Sequence, residues 1–133
     1  MTLKELLASL PNGLHDSELR ELTFDFINQE ARLILDVWVG DLESKEHDIR
    51  EKYQRAEVRL INLSFWISQP TDPSQFPLSR ETLCIDINLL PETYKPGLAL
   101  PESTPQNPVY YLYSTDINTT FFFACESVSI QWQ

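Results

Sequence analysis

The fold of this chain is decided by Leu22-Thr23-Phe24-Asp25-Phe26, a turn at Asn28-Gln29-Glu30, and Leu33-Ile34-Leu35-Asp36-Val37-Trp38-Val39. In the first run apolar and polar residues alternate, and in the second every other residue from 33 to 39 is leucine or valine. Alternation of this kind is typical of a strand with one buried face. The polar residues between the runs favour a tight reversal. The stretch therefore predicts a β-hairpin.

A short helix is predicted before the hairpin. Thr2 and Glu5 have the spacing of a capping box, in which each side chain accepts a hydrogen bond from the other residue's backbone N–H. Leucines at 3, 6, 7 and 10 follow with helical spacing, and Pro11-Asn12-Gly13 ends the pattern. Because an isolated helix of this length is unstable in water, we expect its leucines to pack on the sheet.

Further apolar segments predict the rest of the sheet, at 57–67, 83–89, 109–113, 119–125 and 128–132. In 57–67 the apolar residues change parity, which indicates either a β-bulge or a strand buried on both faces. Proline-rich stretches at 69–76 and 91–108 are expected to be surface loops. The pattern predicts one α+β domain over residues 1–133, mainly antiparallel, with about six to eight strands in a sandwich or partial barrel.

Residues 41–55 carry the densest charge in the chain. Three acid–base pairs there are four residues apart with the acid first: Glu46–Arg50, Asp48–Lys52 and Glu51–Arg55. This order stabilises a helix, and apolar residues are sparse in the segment. We therefore expect a charged helical insertion between two strands, which acts either as a solvated connector or as a functional lid or docking arm.

The whole chain is acidic, with a formal net charge of −10. Residues 1–59 hold 13 acids and 8 bases, and residues 60–133 hold 7 acids and only 2 bases. Binding to nucleic acid or to an anionic membrane requires clusters of Lys and Arg, so neither partner is expected. An acidic surface favours solubility, or attracts a basic protein.

Several features favour a cytoplasmic protein. No apolar run approaches the ~20 residues that a membrane helix needs. Residues 1–5 lack the basic start of a signal peptide, and the residues after them lack its long apolar stretch. Cys84 and Cys125 form no C-x-x-C pair and lie in apolar, strand-like runs, so we expect them to be buried free thiols.

His15-Asp16 is the only His-Asp dipeptide in the chain. Metal phosphohydrolases that carry this dipeptide need further His and Asp ligands on helices, and the only other histidine here is His47. The expected role is structural: Asp16 accepts backbone N–H groups at the turn, and His15 bonds a carbonyl or carboxylate across the sheet. A metal set of His15, Asp16, Asp41 and His47 is a weaker hypothesis, because spacing alone does not bring them together.

Motifs of the common enzyme classes are absent. The sequence contains no G-x-S-x-G, no Walker loop and no G-x-G-x-x-G. Asp25 and Asp36 lie on facing strands of the hairpin, but they alternate with its core residues and are expected in solvent. A cysteine nucleophile would need a nearby histidine that the sequence does not reveal. We expect no catalytic residue, no metal and no cofactor, and the sequence leaves enzymatic activity open.

Acidic and aromatic residues indicate a binding surface. Tyr110, Tyr111 and Tyr113 share a predicted strand, and outward-facing aromatics are typical of interface hot spots, although they can equally form a packed layer. The acids expected to contact a partner are Glu43, Glu46, Asp48 and Glu51. The predicted function is a non-catalytic module that binds a basic protein, with the tyrosine strand as its apolar anchor.

The element Gly13-Leu14-His15-Asp16-Ser17-Glu18-Leu19, followed by a strand, a short turn and a second apolar strand, resembles the N-terminal signature of small uncharacterised β-rich bacterial proteins. Asp36-Val37-Trp38-Val39-Gly40-Asp41 adds to the resemblance, which covers the N-terminal third of the chain. Some of these proteins are similar to immunity proteins of polymorphic-toxin systems. The resemblance implies an immunity-like inhibitor and supplies no catalytic residues.

The sequence supports two other interpretations. A metal-binding or small-molecule-binding domain centred on His15 and Asp16 would explain the dipeptide without a protein partner. An exposed edge strand near the C-terminus would be compatible with a homodimer.

Overall fold

The computed structural model describes residues 1–69, 74, 81–94 and 99–133 of the chain. The helices are α1 (Leu3–Ser9) and α2 (His47–Arg50), and the strands are β1 (Pro11–Leu14), β2 (Ser17–Asp25), β3 (Glu30–Trp38), β4 (Tyr53–Ser68), β5 (Leu83–Leu89), β6 (Tyr110–Ser114) and β7 (Thr119–Trp132). The two predicted proline-rich loops, 69–76 and 91–108, lie partly outside the described residues.

Six of the seven described strands close into an antiparallel barrel, in the order β2-β3-β4-β7-β6-β5. The barrel closes where β2 pairs with β5, from Ser17 opposite Ile85 to Leu19 opposite Leu83. The structure confirms the predicted α+β class with mainly antiparallel strands. Of the two predicted arrangements of these strands, it shows the barrel.

The predicted N-terminal hairpin forms from β2 and β3, with Leu22 opposite Leu33. The carboxylate of Asp25 accepts hydrogen bonds from the backbone N–H groups of Ile27 and Asn28, each at 3.1 Å. An aspartate that bonds the backbone two and three residues ahead stabilises a chain reversal. The reversal occupies residues 26–29, so Glu30 of the predicted turn already belongs to β3, and the stabilising aspartate is the last residue of β2.

Strand β4 contains the irregularity that the change of parity in 57–67 predicts. Asn62 has a left-handed backbone with φ 52°, and the register against β7 shifts between Leu63 and Phe65. The backbone N–H of Leu63 donates to the carbonyl of Gln29 at 2.8 Å. Of the two explanations for the parity change, the structure shows the bulge.

The inward side chains of the barrel form one hydrophobic core, to which α1 contributes Leu3 and Leu6, each 1% exposed. The predicted capping box is present: Thr2 N–H donates to Glu5 Oε2 at 2.8 Å, and Glu5 N–H donates to Thr2 Oγ1 at 3.1 Å. The cap satisfies helix-end donors that would otherwise lack partners. The helix is stable because it packs, as expected for so short a segment.

Aromatic rings fill the barrel behind the β2–β3 hairpin. The Trp66 ring contacts Phe24 edge-on at 5.1 Å and stacks on Phe123 at 5.1 Å between centroids. Phe123 stacks in turn on Tyr110 at 5.8 Å. Such pairs add about 0.5–1.5 kcal/mol each beyond the burial of their area. The rings connect β2, β4, β6 and β7 through contacts in this part of the core.

The charged insertion is present, but its helix α2 is a single turn of four residues. β4 already begins at Tyr53, because this residue pairs with Trp38 of β3. The ion pairs do not follow the predicted spacing of four residues. Arg50 lies 3.6 Å from the neighbouring Glu51, and Arg55 bonds Asp36 of β3. We refer to residues 41–52 as the charged loop.

The charged loop packs against the end of β3. The indole Nε1–H of Trp38 donates to the carbonyl of Arg50 at 2.8 Å. A Cβ at Gly40 would lie 2.1 Å from the same carbonyl oxygen, so only glycine permits this approach. The side-chain amide of Asn12 donates to the Gly40 carbonyl at 2.8 Å. These contacts cover the outward face of Trp38, as its position in the strand pattern suggests.

Strand β7 is not the simple free edge that the homodimer hypothesis assumes. Its residues Thr119 to Phe123 pair with β6 on one side, and the strand pairs with β4 on the other. Further along, the backbone N–H of Val128 donates to the carbonyl of Met1 at 2.8 Å. The N-terminus therefore covers part of the edge, and the homodimer stays a prediction.

Candidate functional site

His15 lies between two carboxylates. Its Nδ1 hydrogen-bonds to Oδ1 of Asp86 on β5, and its Nε2 lies 3.3 Å from Oδ2 of Asp16. The same Oδ1 of Asp86 accepts the backbone N–H of Asp16 at 3.1 Å. Asp16 has a left-handed backbone with φ 52°, which aspartate tolerates better than most residues. Asp86 therefore orders both the β1–β2 turn and the histidine.

This arrangement differs from the sequence expectation in one respect. His15 does contact a carboxylate across the sheet, but the turn is bonded through the N–H of Asp16, with Asp86 as the acceptor. Sequence reasoning missed Asp86. Because Asp86 lies between Ile85 and Ile87, the sequence shows that it faces outward. The pairing of β2 with β5, which brings Asp86 to His15, has no local signal in the sequence.

Cys84 adjoins this cluster. Its backbone N–H donates to Asp116 Oδ2 at 2.7 Å, and its Sγ lies 3.8 Å from Asp16 Oδ1. Burial, together with the charges of Glu18 and Asp16, raises the pKa of the Cys84 thiol to about 11. Burial raises the pKa of the Cys125 thiol to about 12. Both cysteines are free, and the raised pKa values disfavour the thiolate form at neutral pH.

Strand β6 divides its tyrosines between the two sides of the sheet. Tyr110 is 1% exposed and stacks on Phe123 inside the barrel. It is therefore a core residue, which corrects its predicted role as a binding contact. Successive residues of a strand point to opposite sides, so Tyr111 and Tyr113 face outward. Both are partly exposed.

The outward tyrosines adjoin the carboxylates around His15. Asp86 is directly opposite Tyr113 in the β5–β6 register. Glu18 of β2 is opposite Cys84 of β5, which faces outward like Asp86. Directly opposite residues lie on the same side of a sheet. Burial raises the pKa of Tyr111, and the charge of Asp86 raises it further. We call the surface formed by Asp16, Glu18, Asp86, Tyr111 and Tyr113 the acid–tyrosine face.

A shallow apolar groove lies beside the two tyrosines. It has a volume of about 330 Å³, and its walls come from Leu90, Pro91, Tyr94, Tyr111, Tyr113, Thr120 and Phe122. The rings of Tyr94 and Phe122 lie 5.8 Å apart. An open groove of this kind can receive an apolar side chain of another protein.

The charged loop approaches the acid–tyrosine face at Tyr53. Burial raises the pKa of the Tyr53 phenol, and the charges of Glu18, Glu51 and Asp16 raise it further. Tyr53 is 42% exposed, so it lies at the surface, within reach of charges from both the loop and the face. The four predicted contact acids of the loop are all exposed: Glu43, Glu46, Asp48 and Glu51. Of these acids, Glu51 is connected with the face through Tyr53, on which its charge acts together with those of Glu18 and Asp16.

Four arginines are engaged by two carboxylates: Asp36, which is opposite Glu18 in the β2–β3 register, and Glu57. Arg20 and Arg55 lie 2.6 and 2.9 Å from Asp36, and Arg32 and Arg59 lie 3.5 and 2.6 Å from Glu57. Burial opposes ionisation of Asp36, but the bonds from Arg55 and Arg20 outweigh it and lower the pKa of the carboxyl. In these pairs the arginines of β2, β3 and β4 contact two acids, Asp36 and Glu57.

Asp25 and Asp36 do not form the carboxylate pair that general acid–base chemistry requires. In the hairpin register Asp25 is opposite Glu30, whereas Asp36 is opposite Glu18. The two aspartates therefore lie at opposite ends of the hairpin.

One cluster of described residues has the ligand types and spacing of a metal site. A single ligand atom from each of His15, Asp16 and Asp86 lies within 4.8 Å of the other two. Asp41 and His47, the other members of the predicted set, are not part of it. His47 lies instead in the charged loop, 4.0 Å from its neighbour Asp48.

The helices among the described residues are too short and too polar for any of them to cross a membrane. Comparison of the chain with protein-family models finds no match. Comparisons with curated proteins and with solved structures find no significant match either. The site's function must therefore be inferred from its own geometry.

Proposed function

We propose that this chain is a non-catalytic module that binds a basic protein through the acid–tyrosine face and the adjoining charged loop. The observation that carries the proposal is the cross-strand register, which places Asp86 directly beside Tyr113 on the outer surface. Glu18 and Asp16 extend the acidic side of the same surface. The immunity-like inhibitor that the N-terminal element implies would be one protein of this kind.

The charge distribution supports a basic partner. The chain carries −10 overall, and four of its six arginines are engaged by Asp36 and Glu57. Among the described residues, the ion-pair contacts of Asp16 and Asp86 come from His15 alone. A surface with an excess of one charge accelerates association with a partner of the opposite charge.

The tyrosines supply the apolar part of the proposed interface. Tyr111 and Tyr113 border the groove of about 330 Å³, into which a side chain of the partner would insert. Tyrosine is among the residue types that contribute most to interface affinity. Acids at the rim set the rate and salt dependence of binding, whereas the groove sets the lifetime of the complex.

The proposal predicts a salt-sensitive interaction that depends on the two tyrosines. Immobilised wild-type protein should capture a basic protein from native lysate at about 0.1 M salt, where the Debye length is about 10 Å, and release it at about 1 M, where it is about 3 Å. Tyr111→Ser/Tyr113→Ser should weaken binding of that protein at least tenfold, or about 1.4 kcal/mol. Mass spectrometry identifies the protein, and biolayer interferometry measures the affinity.

Two control variants test where the partner binds. Phe26→Ser/Ile27→Ser removes the two large apolar side chains that are most exposed in the described part of the chain, 87% and 92% exposed at the hairpin tip, and should leave affinity unchanged. Glu43→Gln/Glu46→Gln/Asp48→Asn should slow association without abolishing the complex. A partner that is insensitive to salt, or that is lost only with the hairpin-tip variant, would contradict the proposal.

A further inference from the structure

We propose that His15, Asp16 and Asp86 form a binding site for a divalent first-row transition-metal ion, with Zn²⁺ as its best-matched probe. One ligand atom from each residue lies within 4.8 Å of the other two. Zn²⁺ binds nitrogen and oxygen at about 2.0–2.2 Å, so two of its ligands lie at most about 4.4 Å apart. The limit of 4.8 Å exceeds that separation by about 0.4 Å, and on binding the His15 ring would exchange its hydrogen bond to Asp86 for a bond to the ion.

The backbone holds the three ligands in place before any ion arrives. His15 and Asp16 belong to the turn that leads into β2, and Asp86 belongs to β5. The two segments are joined where Ser17 pairs with Ile85, one residue from each carboxylate. Ligands on a sheet and on a turn locked to that sheet are positioned more precisely than ligands on free loops.

Neighbouring groups orient the ligand side chains. Asp86 Oδ1 accepts the Asp16 N–H at 3.1 Å, and the Cys84 Sγ lies 3.8 Å from Asp16 Oδ1. Hydrogen bonds of this kind fix the rotamers of metal ligands and affect affinity by about 10–100-fold. The carboxylates thus reach their positions without the ion.

The donor set selects among metal ions. One imidazole and two carboxylates balance the charge of a divalent ion, and imidazole nitrogen favours Zn²⁺ over Mg²⁺ and Ca²⁺, which prefer oxygen. The side chains of His15, Asp16 and Asp86 are 62%, 49% and 30% exposed, so water can complete the coordination shell. Cys84 is not one of the three residues whose ligand atoms lie within 4.8 Å of one another.

This inference shares Asp16 and Asp86 with the acid–tyrosine face, but it goes beyond the proposed protein-binding function and revises the expectation that the chain has no metal site. It also replaces the ligand set suggested by the sequence, since Asp86 takes the place of Asp41 and His47. Its test uses no protein partner, so failure of the metal site and failure of the protein-binding function can be distinguished.

Calorimetric titration of the chelator-treated protein with ZnCl₂ at neutral pH tests the site. Wild type should bind one Zn²⁺, and His15→Ala and Asp86→Asn should each weaken binding at least tenfold, since losing a ligand should cost no less than losing a group that orients one. His47→Ala is the matched control, because it removes the only other histidine and should leave affinity unchanged. MgCl₂ and CaCl₂ should bind at least tenfold more weakly than ZnCl₂.

A second measurement keeps the proposal testable if a variant fails to fold. Imidazole ¹⁵N spectra of the wild-type protein contain signals from two histidines, and Zn²⁺ should shift the nitrogens of His15 while those of His47 stay in place. Absence of Zn²⁺ binding, a shift at His47 alone, or unchanged affinity in folded His15→Ala would overturn the proposal. Loss of binding in Cys84→Ser with retention in His15→Ala would also overturn it, by placing the ion on the thiol.

Discussion

Replacing Phe123 with alanine is expected to lower the free energy of unfolding by about 3–5 kcal/mol. The ring is fully buried and stacks on Trp66 at 5.1 Å and on Tyr110 at 5.8 Å. Its removal leaves a cavity among aromatic rings that are held by the barrel and cannot collapse to fill it. Small domains have about 5–15 kcal/mol of total stability, so the variant should be close to unfolding.

Urea denaturation followed by circular dichroism measures this effect, with Phe26→Ala as the matched control. The Phe26 ring is 87% exposed at the end of the hairpin and lies 6.0 Å from Phe24. Its removal should change stability by no more than about 0.5 kcal/mol. Equal losses in the two variants would contradict the assignment of Phe123 to the core.

Replacing Asp36 with asparagine should lower stability at neutral pH by about 1–2 kcal/mol, after allowance for partial exposure of its partners. The side chain of Asp36 is 16% exposed, and its carboxylate oxygens lie 2.6 Å from Arg20 Nε and 2.9 Å from Arg55 Nε. Asparagine keeps the shape but leaves two guanidinium groups facing each other without a counter-charge. Glu21→Gln is the control, because Glu21 is 64% exposed and lies 4.0 Å from Arg32.

The Asp36 effect should depend on pH in one direction. The two arginines hold the pKa of Asp36 below its ordinary value of 3.8 despite the opposing effect of burial. The stabilisation is therefore complete above the ordinary value and is lost as the pH falls through the folded-state pKa. Urea unfolding of wild type and Asp36→Asn should give curves that differ at pH 7 and converge in strong acid. A difference that persists unchanged in acid would contradict the ion-pair assignment.

Local patterns predict the elements that local interactions stabilise. The capping box at Thr2 and Glu5 and the strand at 83–89 appear where the sequence places them, and the predicted N-terminal hairpin and β4 bulge form at the expected positions. Each depends on neighbours within a few residues, or on alternation along one strand. These features are sufficient for the fold class, and the barrel is one of the two arrangements that they allow.

The candidate site escapes prediction because its contacts are distant in sequence. His15 and Asp86 are 71 residues apart, and they meet only because β2 pairs with β5. No periodicity in either strand encodes that pairing. The prediction for Tyr110 is wrong for a related reason, since three tyrosines in four residues do not reveal which parity faces the core.

The charged loop shows how pairing in the sheet overrides local helix signals. The acid-first spacing favours a helix, but β4 begins pairing with β3 at Tyr53 and draws Arg55 to Asp36. Only His47–Arg50 remains helical. Backbone pairing along a strand of 16 residues outweighs pair energies of about 0.2–0.5 kcal/mol on an exposed helix.

The most direct test of the protein-binding account is carbodiimide labelling of carboxylates, with and without the basic protein that the wild-type chain captures. Mass spectrometry reads the labelling of each acid separately. We expect the partner to protect Asp16, Glu18 and Asp86, while Glu21 and Glu30 on the hairpin label as before. Protection confined to the hairpin acids, or no protection at the acid–tyrosine face, would contradict the account.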